Sequence, residues 1–444
     1  MNKVSGQHAL IERSGSVGTT ALKRLPAYSL SDLLIPISSA IDLAEGRTAG
    51  HAQRVAYIAA CMAEAVGLEA QARLACCYAA LLHDVGVVSA GAGLASYTRG
   101  DERLVFAPAP LLTPEEAALG ASDSPEVVAE RIVDHVLHGV RAVEVLGLPA
   151  EAVEGIAAHH EHWDGSGYPH QLVGDEIPVV GRIVALADQV EALIDETTPL
   201  VARRNLGHWL ASIGGKEGDP ELVETLRVLS VGDGFWLGLF GDSTRAEMAS
   251  RCARLREPRS IQLEPFLETF SQLVDSRFAF TAGVSKKVAR LAEALGRAVG
   301  LPDFRLKQLR VAALLHDVGQ LAVTERIMAK PDILSVEELE VLRQHPSHSH
   351  DVVAGMGGLE EVAEWVASHH ERLDGRGYPE GRTGGEIPLE ARILAVVDAY
   401  VAITSDRPHR RRMGPQDAQR QLRGAAGSQL DPELVDAFLR AVVA

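Results

Sequence analysis

The stretch HHEHWDGSGYP at residues 159–169 decides how this chain is interpreted, because it returns as HHERLDGRGYP at residues 369–379. Each copy sets two adjacent histidines ahead of an aspartate and a glycine-rich turn that ends in Tyr-Pro. Imidazole is a common metal ligand, and glycine lets the backbone pass close to a ligand. The stretch therefore indicates a metal site that occurs twice.

Other segments repeat as well. RIVALADQV, which begins at Arg182, returns 210 residues later as RILAVVDAY. The His-Asp pair at 83–84 returns 233 residues later at 316–317, so the first copy carries 23 extra residues, which we place within 89–125. The chain is an internal duplication of one domain with an insertion in its first copy.

Composition and periodicity predict an all-α protein. The chain is 46% hydrophobic but only 5% aromatic, and apolar residues recur at helical spacing, as in the segment 51–68. We expect two tandem helical bundles. The predicted divisions are a disordered lead at 1–28, a first domain at 29–231, a linker at 232–260 and a second domain at 261–444.

The net charge of −17 argues against long nucleic acid and against an anionic membrane as partners. A small anionic substrate stays compatible if metals or a few arginines reverse the local field. The four cysteines lack CxxC spacing and suit a reducing compartment. No run of roughly 18 to 20 apolar residues is present, and the N-terminus lacks an apolar leader. We therefore expect a soluble cytoplasmic protein.

Polar residues on otherwise apolar helices form the candidate site of the first copy. They are His51, His83, Asp84, His135, His159, His160 and Asp188. One metal takes three or four such ligands, so seven predict two metals. Asp84 is the natural bridge, because a carboxylate offers two oxygens to a metal pair.

This pattern resembles the HD-GYP branch of the HD-domain phosphohydrolases. The resemblance rests on the pair at 83–84, the stretch 159–169 and Asp188, and it extends over both repeats. It implies HD-domain bundles, a di- or trinuclear centre of iron, manganese or a similar metal (zinc, nickel and cobalt are alternatives), and hydrolysis of cyclic di-GMP or a related cyclic dinucleotide by metal-activated water.

The resemblance also implies roles for individual residues. His83 and Asp84 would be catalytic, with Asp84 bridging the metals and orienting the water. The loop residues Gly167, Tyr168 and Pro169 would help to form the substrate site.

The chain departs from the family pattern at several positions. Members usually have lysine where this chain has Val87 and Gln320. Some trinuclear members have glutamate where this chain has Arg47, so we expect two divalent metals at most. Val284 replaces His51 in the second copy.

The second copy keeps a partial ligand set. Its members are His316, Asp317, His345, His369, His370 and Asp398. With one ligand lost, the sequence predicts a degenerate copy whose metal is weak or absent. We expect it to regulate the first copy or to dimerise, which would make the protein a homodimer.

The insertion offers Arg99 and Arg103 near the position of the missing lysine. We hypothesise that one of them folds over the substrate phosphate; the alternative is a solvated surface loop. Two other functions also compete with cyclic-dinucleotide hydrolysis. One is hydrolysis of another nucleotide phosphate ester, and the other is a non-catalytic, nucleotide-binding signalling scaffold.

Overall fold

The computed structural model describes residues 25–90, 125–194, 199–241, 244–255 and 257–441. Within these ranges the chain forms α-helices and short 3-10 helices, and its β structure is limited to isolated bridges. The all-α prediction is confirmed. The predicted lead, as far as residue 24, and most of the insertion, at 91–124, lie outside the described residues.

The chain divides into two compact units, Tyr28–Ile261 and the remainder of the chain (Met1–Ala27 with Gln262–Ala444). The first unit spans Tyr28–Ile261. Its helices, labelled in chain order, are α1 (Leu30–Ala44), α2 (His51–Ala65), α3 (Ala70–Leu82), α4 (Val87–Ala90), α5 (Pro125–Leu146), α6 (Ala150–Ala157), α7 (Val179–Ala192), α8 (Pro199–Ile213), α9 (Pro220–Leu229), α10 (Asp233–Phe240) and α11 (Thr244–Arg254).

The segment 232–260 was expected to be a linker, but much of it forms α10 and α11. Trp236 and Leu239 of α10 and Met248 of α11 are buried, and both helices pack against α2. Removing this apolar surface from water stabilises the packing by about 25 cal/mol per Å². These helices therefore belong to the first unit.

The start of α2 is fixed by a buried carboxylate on α1. Asp42 accepts hydrogen bonds from the backbone N–H groups of Gly50 (2.7 Å) and Ala52 (3.0 Å). Gly50 has a φ of 102°, a conformation that glycine adopts without a steric penalty. The cap places His51 as the first residue of the helix, facing the interior at 1% exposure.

Helix α3 is the centre of the first bundle and packs against α2, α6 and α7. The segment Ala70–Ala90 is long and apolar enough to cross a membrane by length and composition, yet 78% of its window is buried inside the protein. Leu81 and Leu82, at the end of α3, have no exposed surface. This degree of burial is typical of a helix in the core of a folded domain.

The second unit contains Gln262–Ala444 and repeats the arrangement. Its helices are α12 (Leu263–Asp275), α13 (Val284–Ala298), α14 (Asp303–Leu315), α15 (Glu325–Met328), α16 (Val336–Arg343), α17 (His345–Ala354), α18 (Glu360–Ala367), α19 (Leu389–Ile403), α20 (Pro415–Ala425) and α21 (Pro432–Ala441). Helix α13 packs against α14 and α19, just as α2 packs against α3 and α7.

Candidate metal centre

Seven side chains from five parts of the first unit converge on one site. They are His51 at the start of α2, His83 and Asp84 directly after α3, His135 on α5, His159 and His160 directly after α6, and Asp188 on α7. These are the seven candidates that the sequence predicts. Each helix contributes one or two of them, so the site depends on the packing of the whole bundle.

One group forms around Asp84. Its Oδ1 atom lies 3.4 Å from Nε2 of His135 and 3.5 Å from Nε2 of His159. Nε2 of His160 lies 3.2 Å from Nε2 of His135. The ligand atoms of all four residues lie within 4.8 Å of one another. Three imidazole nitrogens and a carboxylate oxygen at this spacing could hold one transition metal ion.

A second group forms on the other carboxylate oxygen. Oδ2 of Asp84 lies 3.1 Å from Nε2 of His83. Oδ1 of Asp188 lies 3.4 Å from Nε2 of His51 and 3.5 Å from Nε2 of His83. Asp84 is thus shared between the two groups, one oxygen in each, which is the arrangement expected of a bridging carboxylate.

Buried polar atoms without partners converge on the same point. Nε2 of His51, His83 and His159 and Oδ1 of Asp188 are inaccessible to water and have no hydrogen-bond partner. Each such atom costs roughly 1–3 kcal/mol when it is left unsatisfied. Their convergence fits bound cations, one in each ligand group, which would satisfy them.

Backbone contacts fix which imidazole nitrogen faces the site. Nδ1 of His83 lies 2.9 Å from the carbonyl of Ala80, and Nδ1 of His159 lies 2.6 Å from the carbonyl of Ile156. His135 makes the same contact three residues back. Because a carbonyl oxygen only accepts, Nδ1 carries a proton, and Nε2 is the nitrogen that faces the site and can bind a metal once it is deprotonated.

Electrostatics sets different protonation states for different ligands. Burial lowers the pKa of His51 and of His83, but the neighbouring carboxylates outweigh it and raise the pKa of His51 to about 9 and that of His83 well above its usual range, so both carry a proton that a cation would displace. Burial raises the pKa of Asp84, but the charge on His83 and the contacts with His135 and His159 outweigh it, so the pKa lies well below its usual range. Burial and the charges on His159 and His135 hold the pKa of His160 well below its usual range. Asp84 is therefore ionised and His160 neutral near neutral pH.

A buried carboxylate holds His51. Oε2 of Glu191 on α7 lies 2.5 Å from Nδ1 of His51, and its Oε1 accepts from Nε of Arg54 at 2.7 Å. The sequence interpretation missed Glu191. The available signal was an acidic residue three positions after Asp188 on an otherwise apolar helix, which places both on nearly the same face.

The backbone at Gly86, directly after the His-Asp pair at 83–84, lies in close contact with the backbone of α5, which carries His135. A Cβ at Gly86 would lie 1.8 Å from the carbonyl oxygen of His135 and 2.6 Å from the backbone nitrogen of Gly139. No side chain fits there. Gly86 is thus a second residue that sequence reasoning missed, and the repeated His-Asp-Val-Gly at 316–319 was the signal.

The loop after His160 is folded back over the site. The backbone N–H of Tyr168 donates to the carbonyl of His160 at 3.0 Å, and the Tyr168 ring stacks on the imidazole with centroids 4.7 Å apart. A Cβ at Gly167 would lie 2.3 Å from the backbone nitrogen of His162. Glu161 accepts from the N–H groups beyond Pro169, which holds the loop in place.

The second unit brings together its six predicted residues in the same way. Oδ1 of Asp317 lies 3.2 Å from Nε2 of His345 and 3.7 Å from Nε2 of His369. Nε2 of His316 lies 3.3 Å from Oδ2 of Asp317 and 3.9 Å from Oδ1 of Asp398. Nε2 of His316, His345 and His369 and Oδ1 of Asp317 again lack partners.

The structure also shows the surroundings of Val87 and Arg47, two positions at which the chain departs from the family pattern. Val87 is buried at 1% exposure, so it offers no group to a substrate. Arg47 pairs with Glu45 at 3.2 Å and lies 4.0 Å from Glu191, at the margin of the second group. Arg99 and Arg103 lie outside the described residues, so their proposed contact with a phosphate stays a prediction.

Comparison with known proteins relates both repeats to HD-domain proteins. A family model described as "HD domain" matches residues 111–222 and 268–434, one region in each repeat. The 3'3'-cGAMP-specific phosphodiesterase 3 of Vibrio cholerae is 27% identical over 445 residues, which cover 94% of this chain and 95% of that protein. A cyclic di-GMP phosphodiesterase of Thermotoga maritima is 33% identical over 176 residues, which cover 39% of this chain and 48% of that protein.

A solved structure shares the fold along nearly the whole chain. The crystal structure of a cyclic GMP-AMP-specific phosphodiesterase of V. cholerae (V-cGAP3) matches with a TM-score of 0.68 and 24% identity, covering 94% of this chain and 98% of that chain. The tandem helical architecture is therefore found in another protein.

Proposed function

Because this chain belongs to the HD domain family, in its HD-GYP form, we propose that it is a metal-dependent phosphodiesterase that hydrolyses a cyclic dinucleotide in its first repeat. The observation that carries the proposal is the convergence of unpartnered, buried Nε2 and carboxylate oxygen atoms on Asp84. Such atoms are costly in a folded protein unless an ion satisfies them.

The two groups divide the ligands between two divalent cations. Asp84 with His135, His159 and His160 would hold one, and Asp84 with His51, His83 and Asp188 would hold the other. When bound, paired cations supply Lewis acidity that makes hydroxide available near neutral pH and stabilises charge on the phosphodiester. Nitrogen and carboxylate ligands suit iron or manganese, with zinc, nickel and cobalt as alternatives.

The residues of the chain itself prepare this chemistry. The Nδ1–H contacts to backbone carbonyls orient His83 and His159 before any ion binds. Burial and the charges of Asp84 and Asp188 raise the pKa of Tyr168 above its usual range, so its hydroxyl stays protonated and can donate to a phosphate oxygen. Hydrolysis adds one water, breaks one phosphorus–oxygen ester bond and yields a linear dinucleotide.

The relatives support the substrate class and supply two candidates within it. The relative that aligns along 95% of its length is named for 3'3'-cGAMP, whereas the relative from T. maritima is named for cyclic di-GMP. A small anionic nucleotide also suits a strongly acidic protein whose field is reversed locally by cations. We propose 3'3'-cGAMP as the first substrate to test and cyclic di-GMP as the second.

A matched pair of substitutions tests the function and the division of roles between the repeats. The purified full chain, loaded with Mn²⁺ or Fe²⁺, is incubated with each nucleotide, and the linear product is measured. Asp84→Asn removes the shared charge of the first repeat and should abolish turnover, while Asp317→Asn makes the same change in the second repeat and should alter it only modestly. Full activity of Asp84→Asn, or no hydrolysis of either nucleotide by the wild type, refutes the proposal.

A further inference from the structure

In the second repeat, only one of the two ligand groups is incomplete. Asp317, His345, His369 and His370 bring their ligand atoms within 4.8 Å of one another, as do their four counterparts in the first repeat. The group formed by His316, Asp317 and Asp398 lacks a counterpart of His51. The substitution of that histidine therefore affects one group and leaves the other whole.

The two repeats keep the same register at the lost histidine. Gly50 and Gly283 both precede their helices with a positive φ, of 102° and 72°. Asp275 caps α13 by accepting from the N–H of Ser285, as Asp42 caps α2. Val284 therefore occupies the place of His51 in space as well as in sequence.

One of the two carboxylate partners of the lost histidine has become apolar as well, whereas Asp398 keeps the place of Asp188. By the same repeat intervals, Val401 stands in place of Glu191, and Phe278 stands in place of Glu45. Val401 has no exposed surface, and Phe278 is 4% exposed.

Little space is left in this part of the site. A cavity of only about 10 Å³ remains, with a lining that is half apolar (Val274, Phe278, Val284, Leu321) and half polar (Asp275, Thr281, Asp317, Gln320). The group keeps His316, Asp317 and Asp398, but it lacks counterparts of the imidazole of His51 and of the carboxylate of Glu191, so a second cation has weaker support here than in the first repeat.

A large open pocket lies over the complete group. Its volume is about 800 Å³, within the range of small-molecule sites. Its lining includes Asp317, His345, Tyr378, Lys330, Arg407 and Arg410. Imidazoles and carboxylates that could hold one cation therefore share a pocket with three basic side chains.

The basic side chains are held at the pocket in different ways. The guanidinium of Arg410 donates to the carbonyl of Ala402 at 2.6 Å, and Lys330 pairs with Glu338 at 2.6 Å. Arg407 lies over the ring of Phe280, with its Cζ 5.7 Å from the ring centroid. Arg407 is thus positioned by stacking, which leaves its N–H groups free to take up phosphate oxygens.

We propose that the second repeat is a one-cation pocket that binds the cyclic dinucleotide without hydrolysing it, so that the chain senses the nucleotide that it degrades. This inference rests on the proposed function of the first repeat. One cation and Arg407 can neutralise a phosphate, and the apolar lining can receive a base. A pair of cations to stabilise both the attacking and the leaving oxygen is not available, so the ester bond stays intact.

The test uses the full chain carrying His83→Ala and Asp84→Ala, which disables both groups of the first repeat. We expect this protein to retain about one equivalent of Mn²⁺ by elemental analysis, and a further His345→Ala to remove it. Calorimetry with 3'3'-cGAMP and with cyclic di-GMP should show one molecule bound per chain. Chromatography should recover that nucleotide unchanged.

Arg407→Ala removes one half-buried side chain of the pocket lining and none of the cation ligands. It should weaken nucleotide binding at least tenfold, while Arg411→Ala, on an exposed neighbour outside the pocket lining, should leave binding unchanged.

Three results would each overturn the inference: no retained cation, no bound nucleotide, or hydrolysis by this background. None of these measurements needs turnover by the first repeat. A wild-type protein that fails to hydrolyse either nucleotide would instead count against the proposed function.

Discussion

Oε2 of Glu191 lies 2.5 Å from Nδ1 of His51, and both side chains are buried. The contact turns Nε2 of the imidazole toward Asp188, 3.4 Å away. Partners of this kind commonly change metal affinity by 10- to 100-fold when they are removed. The second repeat has lost the histidine and this carboxylate together, which indicates that the two act as one unit.

Glu191→Gln should therefore weaken the binding of one cation by about 10- to 100-fold and leave the other unchanged. Glutamine keeps the volume but removes the charge that orients His51. Competition with a metal-sensitive dye measures both affinities. Glu154→Gln, on an exposed position of α6, is the matched control. Equal affinities in Glu191→Gln and in the wild type would show that Glu191 does not support the metal.

Removal of metal should lower the stability of the protein. Ligands that bind the folded state at about 1,000 times Kd contribute about 4 kcal/mol. Chelation would also expose the cost of the unpartnered nitrogens of His83 and His159. We expect a lower Tm in chelator, restored by Mn²⁺, and a smaller shift for the His83→Ala/Asp84→Ala protein. Identical melting curves with and without chelator would argue against bound metal.

Much of the site followed from the sequence because its ligands lie in repeated motifs. The pairs at 83–84 and 159–160 stand out on apolar helices, so their convergence could be predicted. The role of Glu191 was harder to predict: its spacing from Asp188 places it on nearly the same face of the helix, but only the packing of α7 against α2 brings it to His51.

The helical class of the fold could be predicted from the sequence, but the place of one segment in it could not. The all-α class follows from helical periodicity, which is a local property. The role of 232–260 is not local: its position between the two repeats predicts a linker, yet Trp236 and Leu239 are buried and the segment packs against α2 of the first unit. Burial depends on surfaces that the local pattern does not contain.

Gly86→Ala should disrupt the site through the backbone. The new Cβ would lie 1.8 Å from the carbonyl oxygen of His135, so α5 must move away from Asp84. We expect destabilisation of about 1–3 kcal/mol, as for other overpacked positions, together with loss of bound metal.

Gly207→Ala is the control for that change. Gly207 lies within α8, where nothing stands within 4 Å of a new Cβ. Alanine should stabilise this helix by about 0.5–1 kcal/mol. Chemical denaturation of the two variants measures both effects, and equal stabilities would contradict the close contact at Gly86.

The last prediction concerns two equivalent glutamates that hold the two loops differently. Glu161 uses both oxygens: Oε1 accepts from the N–H of His170 at 2.6 Å, and Oε2 accepts from the N–H of Leu172 at 3.0 Å. Glu371 uses only Oε1, which accepts from the N–H groups of Glu380 (2.7 Å) and Gly381 (3.1 Å).

A glutamine offers one carbonyl oxygen and one N–H₂ group. The same substitution should therefore loosen the first loop and leave the second loop unchanged. Glu161→Gln must set a donor against one of the two N–H groups, which costs about 1–3 kcal/mol. Amide exchange at His170 or Leu172 should then accelerate, and KM should rise more than kcat falls. Glu371→Gln can keep both bonds on its carbonyl oxygen, so exchange at Glu380 and Gly381 should stay as in the wild type. Equal protection of the two loops in the two variants would show that these carboxylates do not control loop order.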